Sequence, residues 1–196
     1  MTPPRVAAVV LAAGLSKRLP ENKLLVAVKG EPIVRRVVKG ALASRASPVI
    51  VVTGNSAEVV RGALAGLPVV LADNRDYAKG LSGSLRCGVR AVPLDCDGVL
   101  VLLGDMPFVA SALIDALVAA FEPTRGRAIC VPVRHGRRGN PVLWGRRFFP
   151  ELLELEGDRG AKLLLDLHAD LLTEVEAGDD GVLIDIDTAD DLKVHE

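Results

Sequence analysis

Val6 to Leu25 reads VAAVVLAAGLSKRLPENKLL, and the fold turns on this stretch. The run from Val6 to Ala13 is unbroken in its apolarity, rich in Val and stopped by Gly14. A run of this kind is expected of a strand covered by helices on both faces, as in a parallel sheet. Small residues at Ala12, Ala13 and Gly14 let a ligand approach the backbone, and the N–H groups of the loop can point at anionic oxygens. Arg18 and Lys23 follow and add full positive charge, one as a rigid fork and the other as a point charge. The stretch therefore reads as a buried strand opening into a phosphate site, or else into an ordinary surface turn with two solvated cations. It is neither the dinucleotide fingerprint, because Gly14 is the only glycine before Gly30, nor GxxxxGK[ST].

Downstream the pattern alternates. Pro32 to Ser44 places Ile33, Val34, Val37, Val38, Ala41 and Leu42 at helical period, with Arg35, Arg36 and Lys39 outside and Pro32 suited to the first turn. Pro48 to Thr53 is a second buried strand, Ser56 is placed to cap a helix reaching Leu64, and Pro68 to Ala72 is a third strand. Strand, helix, strand, helix, strand calls for right-handed crossovers and a mostly parallel sheet. DNRDYAKGLSGSL at 73 to 85 is a polar loop that runs into a helix from Leu81. There Gly80, Ser82, Gly83 and Ser84 are positioned for backbone and hydroxyl contacts with a nucleotide base or ribose, or else form an ordinary glycine-rich helix entry.

Gly98 to Asp105 is a fourth buried strand ending in the motif GDMP. A carboxylate at the end of a central parallel strand lies in the crevice where open α/β sheets bind ligands. With phosphates close by, the economical role of Asp105 is to hold Mg²⁺. Ser111 is the expected cap of the next helix, through Phe121, which leaves Asp105 free for that role. The second half departs from strict alternation. Ala128 to Val133 is a strand, and HGRRGNPVLWG at 135 to 145 forms a basic turn and a short strand, where Arg137 and Arg138 can meet an anionic second substrate or form a solvated hairpin tip, and Gly139 and Asn140 shape the loop. Phe148 to Leu155 and Ala161 to Leu167 are helical, and between them Asp158 either caps the second helix or binds a substrate. Leu171 to Val175 and Val182 to Ile186 are late strands. On the last, Asp185 and Asp187 fall on one face, and Thr188 is a natural cap for a final helix. Crowded carboxylates call for a cation, so a divalent metal shared by Asp105 and Asp187 is expected.

Composition narrows the class. The chain has 196 residues and no linker-like stretch, so one domain over 1–196 is expected. A formal net charge of -1 and 3% aromatics leave no electrostatic or stacking case for nucleic acid or a membrane surface. Cys87, Cys96 and Cys130 are odd in number and scattered, and read as buried thiols of a reducing, cytoplasmic setting. No apolar run approaches the roughly 20 residues of a membrane span, and the run after Arg5 is read as a strand, not a secretory signal. His135, His168 and His195 lack ligand spacing, Trp144 is expected to pack against the sheet, and no Ser/His/Asp or Cys/His constellation can be made out.

Taken together, LAAGLSKRLPENKLL at 11 to 25, GLSGSLRCG at 80 to 88, GDMPFV at 104 to 109, RGNPVL at 138 to 143, GDRGAK at 157 to 162 and DIDTADDL at 185 to 192 resemble the MobA-like nucleotidyltransferase family, most closely its molybdenum cofactor cytidylyltransferase branch. The resemblance implies a Rossmann-like nucleotidyltransferase fold that joins CMP from CTP to the terminal phosphate of molybdopterin, releasing pyrophosphate with Mg²⁺, or Mn²⁺ in its place. By position it implies Leu11, Ala12, Ala13 and Gly14 at the nucleotide, Arg18 and Lys23 on the triphosphate, and Gly80, Ser82 and Ser84 at the nucleotide pocket. It further implies Asp105 and Asp187 at the metal, and Arg138, Gly139, Asn140 and Asp158 on the acceptor side. A molybdoenzyme or its maturation chaperone would be the partner. Ala13, where guanylyl-transferring relatives carry a glycine, and Met106 lean toward cytidylyl transfer. Arg18-Leu19-Pro20 departs from the family's Arg-Met-Gly or Arg-Phe-Gly, and Gly83 stands where serine is frequent. The competing readings are a guanylyl or sugar-phosphate transferase of the same fold, and a non-catalytic nucleotide or cofactor binder; the metal pair argues against the binder.

Overall fold

The computed structural model describes residues 3–14, 22–157, 161–186 and 191. β1 (Val6–Ala12) leads through a short ribbon, β2 (Ala27–Val28) and β3 (Glu31–Pro32), into α1 (Ile33–Leu42). β4 (Val49–Thr53), α2 (Ala57–Ala63), β5 (Val70–Asp73), α3 (Leu81–Ala91), β6 (Gly98–Leu103) and α4 (Ser111–Ala120) continue the alternation. The second half holds β7 (Ile129–Arg134), β8 (Arg137–Arg138), β9 (Val142–Gly145), α5 (Phe149–Glu154), α6 (Lys162–Leu167) and β10 (Leu172–Glu176). The main sheet is ordered β10-β7-β9-β6-β1-β4-β5, with β8 paired to β7. β5, β4, β1 and β6 run parallel, as do β7 and β10, while β9 is antiparallel to both β6 and β7. The result is an α/β fold with a mostly parallel central sheet flanked by helices.

β1 sits at the centre because both its faces are apolar. Successive strand residues point to opposite sides. Val6, Ala8, Val10 and Ala12 join α1 and α4 residues such as Val34, Val38, Ile114 and Leu117 in one core layer. Ala7, Val9, Leu11 and Ala13 join Leu85 and Val89 of α3 and Leu152 of α5 in the other. Trp144 is buried in this second layer, next to Phe148. Cys96 and Cys130 are buried and Cys87 half-buried, and burial pushes the Cys130 thiol up to about 12.

Several local expectations give way to tertiary structure. The segment 182–186 is not a strand: Asp180–Leu183 is a 3-10 turn, opened by Asp179, whose Oδ1 accepts from the Gly181 N–H at 2.9 Å. Its backbone groups serve loops instead of a ladder. Val182 O accepts from the Asn140 N–H at 3.0 Å, and the Ile186 N–H donates to Asp105 O at 3.0 Å. Asp185 is therefore an exposed residue of an irregular segment; Asp187 and Thr188 lie outside the described residues. Ser56 precedes α2 in a left-handed conformation, φ 56°, and makes no side-chain cap, because the chain turns sharply after Gly54. Ser111 is the first residue of α4, one position past the cap. Pro32 stops one residue short of α1, since it pairs with Ala27 in the β2–β3 ribbon. The third strand begins at Val70, two residues later than its sequence suggests. No helix among the described residues is long and apolar enough to cross a membrane.

Candidate active site

The strand order fixes where a ligand can enter. From β1 the chain moves outward to β4 and β5, then returns to lay β6 along the other side of β1. The crossovers leave in opposite directions at this point, so a crevice opens beyond the carboxyl ends of β1 and β6. Ala13 and Gly14 enter it from β1 and Asp105 from β6, and Gly104 brings the two ends together. The Gly104 N–H donates to Leu11 O at 3.0 Å, and a Cβ at Gly104 would lie 2.7 Å from that same oxygen. Only glycine lets Asp105 come so close to the β1 loop.

The crevice contains a cavity of about 340 Å³ lined by Leu11, Ala13, Gly14, Lys23, Leu24, Tyr77, Ala78, Gly80, Leu81, Ser84, Leu103 and Asp105. Lys23 opens a 3-10 turn, Lys23–Leu25, capped by Asn22, whose Oδ1 accepts from the Leu24 N–H at 3.1 Å. This cap aims the Lys23 ammonium across the crevice, where Nζ meets Asp105 Oδ2 at 2.6 Å with the two side chains 19% and 20% exposed. The other carboxylate oxygen, Asp105 Oδ1, is buried and without a hydrogen-bond partner among the described residues. A carboxylate oxygen left unmet in a closed crevice is costly. A hard divalent cation would meet it, and Mg²⁺ is commonly held by one or two carboxylates together with phosphate oxygens, not by an all-protein cage. Asp105 fits that pattern. Among the described residues no group of three or more His, Cys, Asp or Glu side chains could hold a metal ion.

Across the cavity the loop before α3 is braced from within. Asn74 is buried; its Oδ1 accepts from the Asp76 N–H at 3.1 Å and its Nδ2 donates to Ser84 Oγ at 3.1 Å. These bonds set the 3-10 turn Tyr77–Lys79, which brings Tyr77 to the cavity wall.

A second cavity of about 340 Å³ shares Leu11, Leu81 and Leu103 with the first. Leu85, Val101, Val142 and Trp144 form the rest of its apolar lining, with Ala161 and Leu165 of the α6 region. Its polar lining comes from Arg138, Gly139 and Asn140 on one side and Lys162 and Asp166 on the other. The Arg138–Asn140 loop is held from behind, where the Gly139 N–H donates to Pro132 O at 2.9 Å and a Cβ at Gly139 would strike Val182 O. Arg138 Nε pairs with Glu174 Oε1 at 3.0 Å in an exposed contact.

The expected residues thus divide. Leu11, Ala13, Gly14, Lys23, Gly80, Ser84 and Asp105 line the first cavity, and Arg138, Gly139 and Asn140 the second. Ala12 is fully buried and belongs to the opposite core layer, because alternation turns it away from Leu11 and Ala13. Ser82 is likewise not a lining residue: it is buried on α3, its Oγ unpartnered among the described residues and its N–H donating to Gly157 O at 3.2 Å. Arg18, Asp158 and Asp187 lie outside the described residues. Sequence reasoning missed Tyr77, Lys162 and Asp166. Tyr77 had a signal, as the chain's one tyrosine inside the polar loop before α3; Asp166 had none, being one charged residue of a leucine-rich helix.

The family model for the MobA-like NTP transferase domain matches residues 8–173. Purine catabolism protein PucB of Bacillus subtilis is 35% identical over 202 residues, covering 97% of this chain and 96% of that protein. The bifunctional protein GlmU of Syntrophotalea carbinolica is 33% identical over 143 residues, which is 72% of this chain but only 30% of GlmU. Among solved structures, a nucleotidyl transferase from Methanothermobacter thermautotroptrophicus superposes with a TM-score of 0.84 at 28% identity, covering 97% of this chain and 96% of that one. Rv0371c from Mycobacterium tuberculosis gives 0.83 at 29% identity over 99% and 98% of the two chains, and it has also been solved in complex with manganese.

Proposed function

The chain belongs to the MobA-like NTP transferase family and is a nucleotidyltransferase, and on that premise we propose that it transfers CMP from CTP to the terminal phosphate of molybdopterin, releasing pyrophosphate. One observation carries the two-substrate reading. Two cavities of equal size meet at a wall of Leu11, Leu81 and Leu103, with Lys23 and Asp105 on one side and Arg138 and Asn140 on the other. A nucleoside triphosphate in the first and a phosphorylated acceptor in the second would meet where the two cavities adjoin.

The chain's own residues have positional and electrostatic tasks. Lys23 neutralises triphosphate oxygens, and Arg18 adds to this from the same loop. Asp105, with Asp187, would hold a divalent ion; when bound, that ion supplies charge neutralisation at the phosphates. Support for a divalent ion comes from the unmet Asp105 Oδ1 and from the manganese complex of Rv0371c, and Mg²⁺ is our choice for the working ion. Arg138, Gly139 and Asn140 face the acceptor's phosphate, with Arg138 supplying the positive charge and Asn140 an amide donor, while Asp158 contributes on the acceptor side to groups other than the phosphate. An oxygen of that phosphate attacks the α-phosphorus in line, the bond from the α-phosphorus to the bridging oxygen breaks, and pyrophosphate leaves with the electron pair. A phosphate nucleophile needs no dedicated base, so placement and charge do the work.

Ala13 and the GDMP motif favour cytidine, and the family resemblance of the acceptor-side motifs favours molybdopterin. The three scattered cysteines support a cytoplasmic setting, with a molybdoenzyme or its chaperone receiving the product. A second reading, a sugar phosphate as acceptor, draws on the GlmU similarity. The deciding experiment measures pyrophosphate release with CTP, GTP, ATP and UTP in turn, with Mg²⁺, with and without molybdopterin. Release with CTP that requires molybdopterin is expected. Preference for GTP would overturn the cytidylyl reading, and release with a hexose 1-phosphate added in place of molybdopterin, but not with molybdopterin, would overturn the acceptor.

A further inference from the structure

We propose that the second cavity is the compartment for the acceptor's ring system and that Lys162 and Asp166 of α6 are its specificity residues; this rests on the transferase reading above. At about 340 Å³ the cavity lies within the range of small-molecule sites. Its walls are largely aliphatic, through Leu81, Leu85, Val101 and Val142, with Trp144 among them. A sugar ring there would turn hydroxyl groups toward surfaces that offer no hydrogen bonds, at the cost of leaving them unmade. A flat heterocycle would bury its faces against the same surfaces and require polar partners only around its edge.

Polar partners are available in two places. Arg138 and Asn140 face the cavity from the β8–β9 loop, a fork and an amide suited to a phosphate end. Lys162 and Asp166 stand four residues apart, one helical turn, and both line the cavity. An ammonium beside a carboxylate offers donors and acceptors together. The carboxylate of Asp166 accepts from ring N–H or amine groups, and the ammonium of Lys162 donates to a ring carbonyl or nitrogen. This is the complement of a pterin-type edge, which carries an amide beside an amino group, and not of a sugar. Both residues are exposed, so neither is needed for the core.

The chain's single tryptophan, Trp144, lines the same cavity, so energy transfer from Trp144 to a bound pterin reports occupancy without turnover. The test titrates molybdopterin into the full chain without CTP, follows Trp144 emission, and repeats the titration with a hexose 1-phosphate as competitor. Saturable quenching that the hexose 1-phosphate does not reverse is expected. Asp166→Asn and Lys162→Met should each raise the half-saturation about tenfold, as the loss of one charge-assisted hydrogen bond requires, with KM for CTP unchanged. Half-saturation equal to wild type in both variants, or displacement of the pterin by the hexose 1-phosphate, would overturn the assignment. Variant-sensitive quenching, with no molybdopterin-dependent pyrophosphate release when CTP and Mg²⁺ are then added, would refute the proposed CMP transfer and leave the ring compartment standing.

Discussion

The two cavities are alike in size and differ in the charged and small residues they bring together. The first is made where two parallel strands end, from the small residues Ala13, Gly14, Ala78 and Gly80, four leucines, Tyr77 and one opposed pair of charges, Lys23 and Asp105. The second is assembled from side chains of six separate segments, β1, α3, β6, the Arg138–Asn140 loop, β9 and α6, and is mostly apolar. A triphosphate looks much the same whatever it will be joined to, and a site built from backbone and strand ends can serve all of them. Acceptors differ, and a site built from side chains of many elements can change one wall at a time. On the proposed reading, reaction chemistry falls to the first cavity and substrate choice to the second.

Substitutions on the first side should therefore damage turnover with every acceptor. Asp105→Asn is expected to cost the most, about a thousandfold in kcat or more, because it removes the charge that would hold the metal. Circular dichroism and the melting temperature should stay near wild type; unchanged turnover would remove Asp105 from the metal site. Lys23→Met is expected to lower kcat/KM for the nucleotide about a hundredfold, with KM for the acceptor little altered. An effect confined to the acceptor would reverse the assignment of the two cavities.

The next effect is on shape. Gly104→Ala would place a Cβ 2.7 Å from Leu11 O and force the ends of β1 and β6 apart. A loss of about 1–3 kcal/mol in urea denaturation is expected, accompanied by weaker nucleotide binding. A variant of wild-type stability would show that Asp105 does not depend on that close approach.

The smallest expected effect is on the second side, where Asp180 ties the turn after β10 to the β7–β8 hairpin. The Arg134 guanidinium, bonded to Asp180 at 2.8 Å, and then His135 hold the Asp180 carboxyl below its ordinary value. A carboxyl depressed in the folded state adds stability above its unfolded pKa and loses that contribution as pH falls through the folded value. The wild type should thus lose its melting-temperature advantage over Asp180→Asn as pH falls below about 4. The pair is exposed, so the difference should be slight. An Asp180-dependent loss of stability on raising the pH from about 2 to 5 would contradict this sign.

The same contrast governs what could be read from the sequence. β1 was legible because both its neighbours and its covering helices require an unbroken apolar run, and Gly14 marks its end. Lys23 and Asp105 were legible because strand ends and a short motif carry them. Ala12 and Ser82 were not, since which of two neighbouring residues faces a cavity depends on the phase of a strand or helix against its partners. The segment 182–186 has a strand's alternation but lies where its backbone groups meet the Asp105 and Asn140 loops, so tertiary contacts override the pattern. Asp166 lies outside every motif quoted, and only the fold brings it to the same cavity as Arg138, 28 positions earlier in the chain.

The central claim is that donor and acceptor occupy adjacent cavities at the same time and react directly where those cavities adjoin, beside Leu11, Leu81 and Leu103. The initial rate of pyrophosphate release, measured over a grid of CTP and molybdopterin concentrations, tests it most directly. Double-reciprocal lines that intersect are predicted, because both substrates must be bound before transfer. Parallel lines, with pyrophosphate leaving before the acceptor binds, would contradict it.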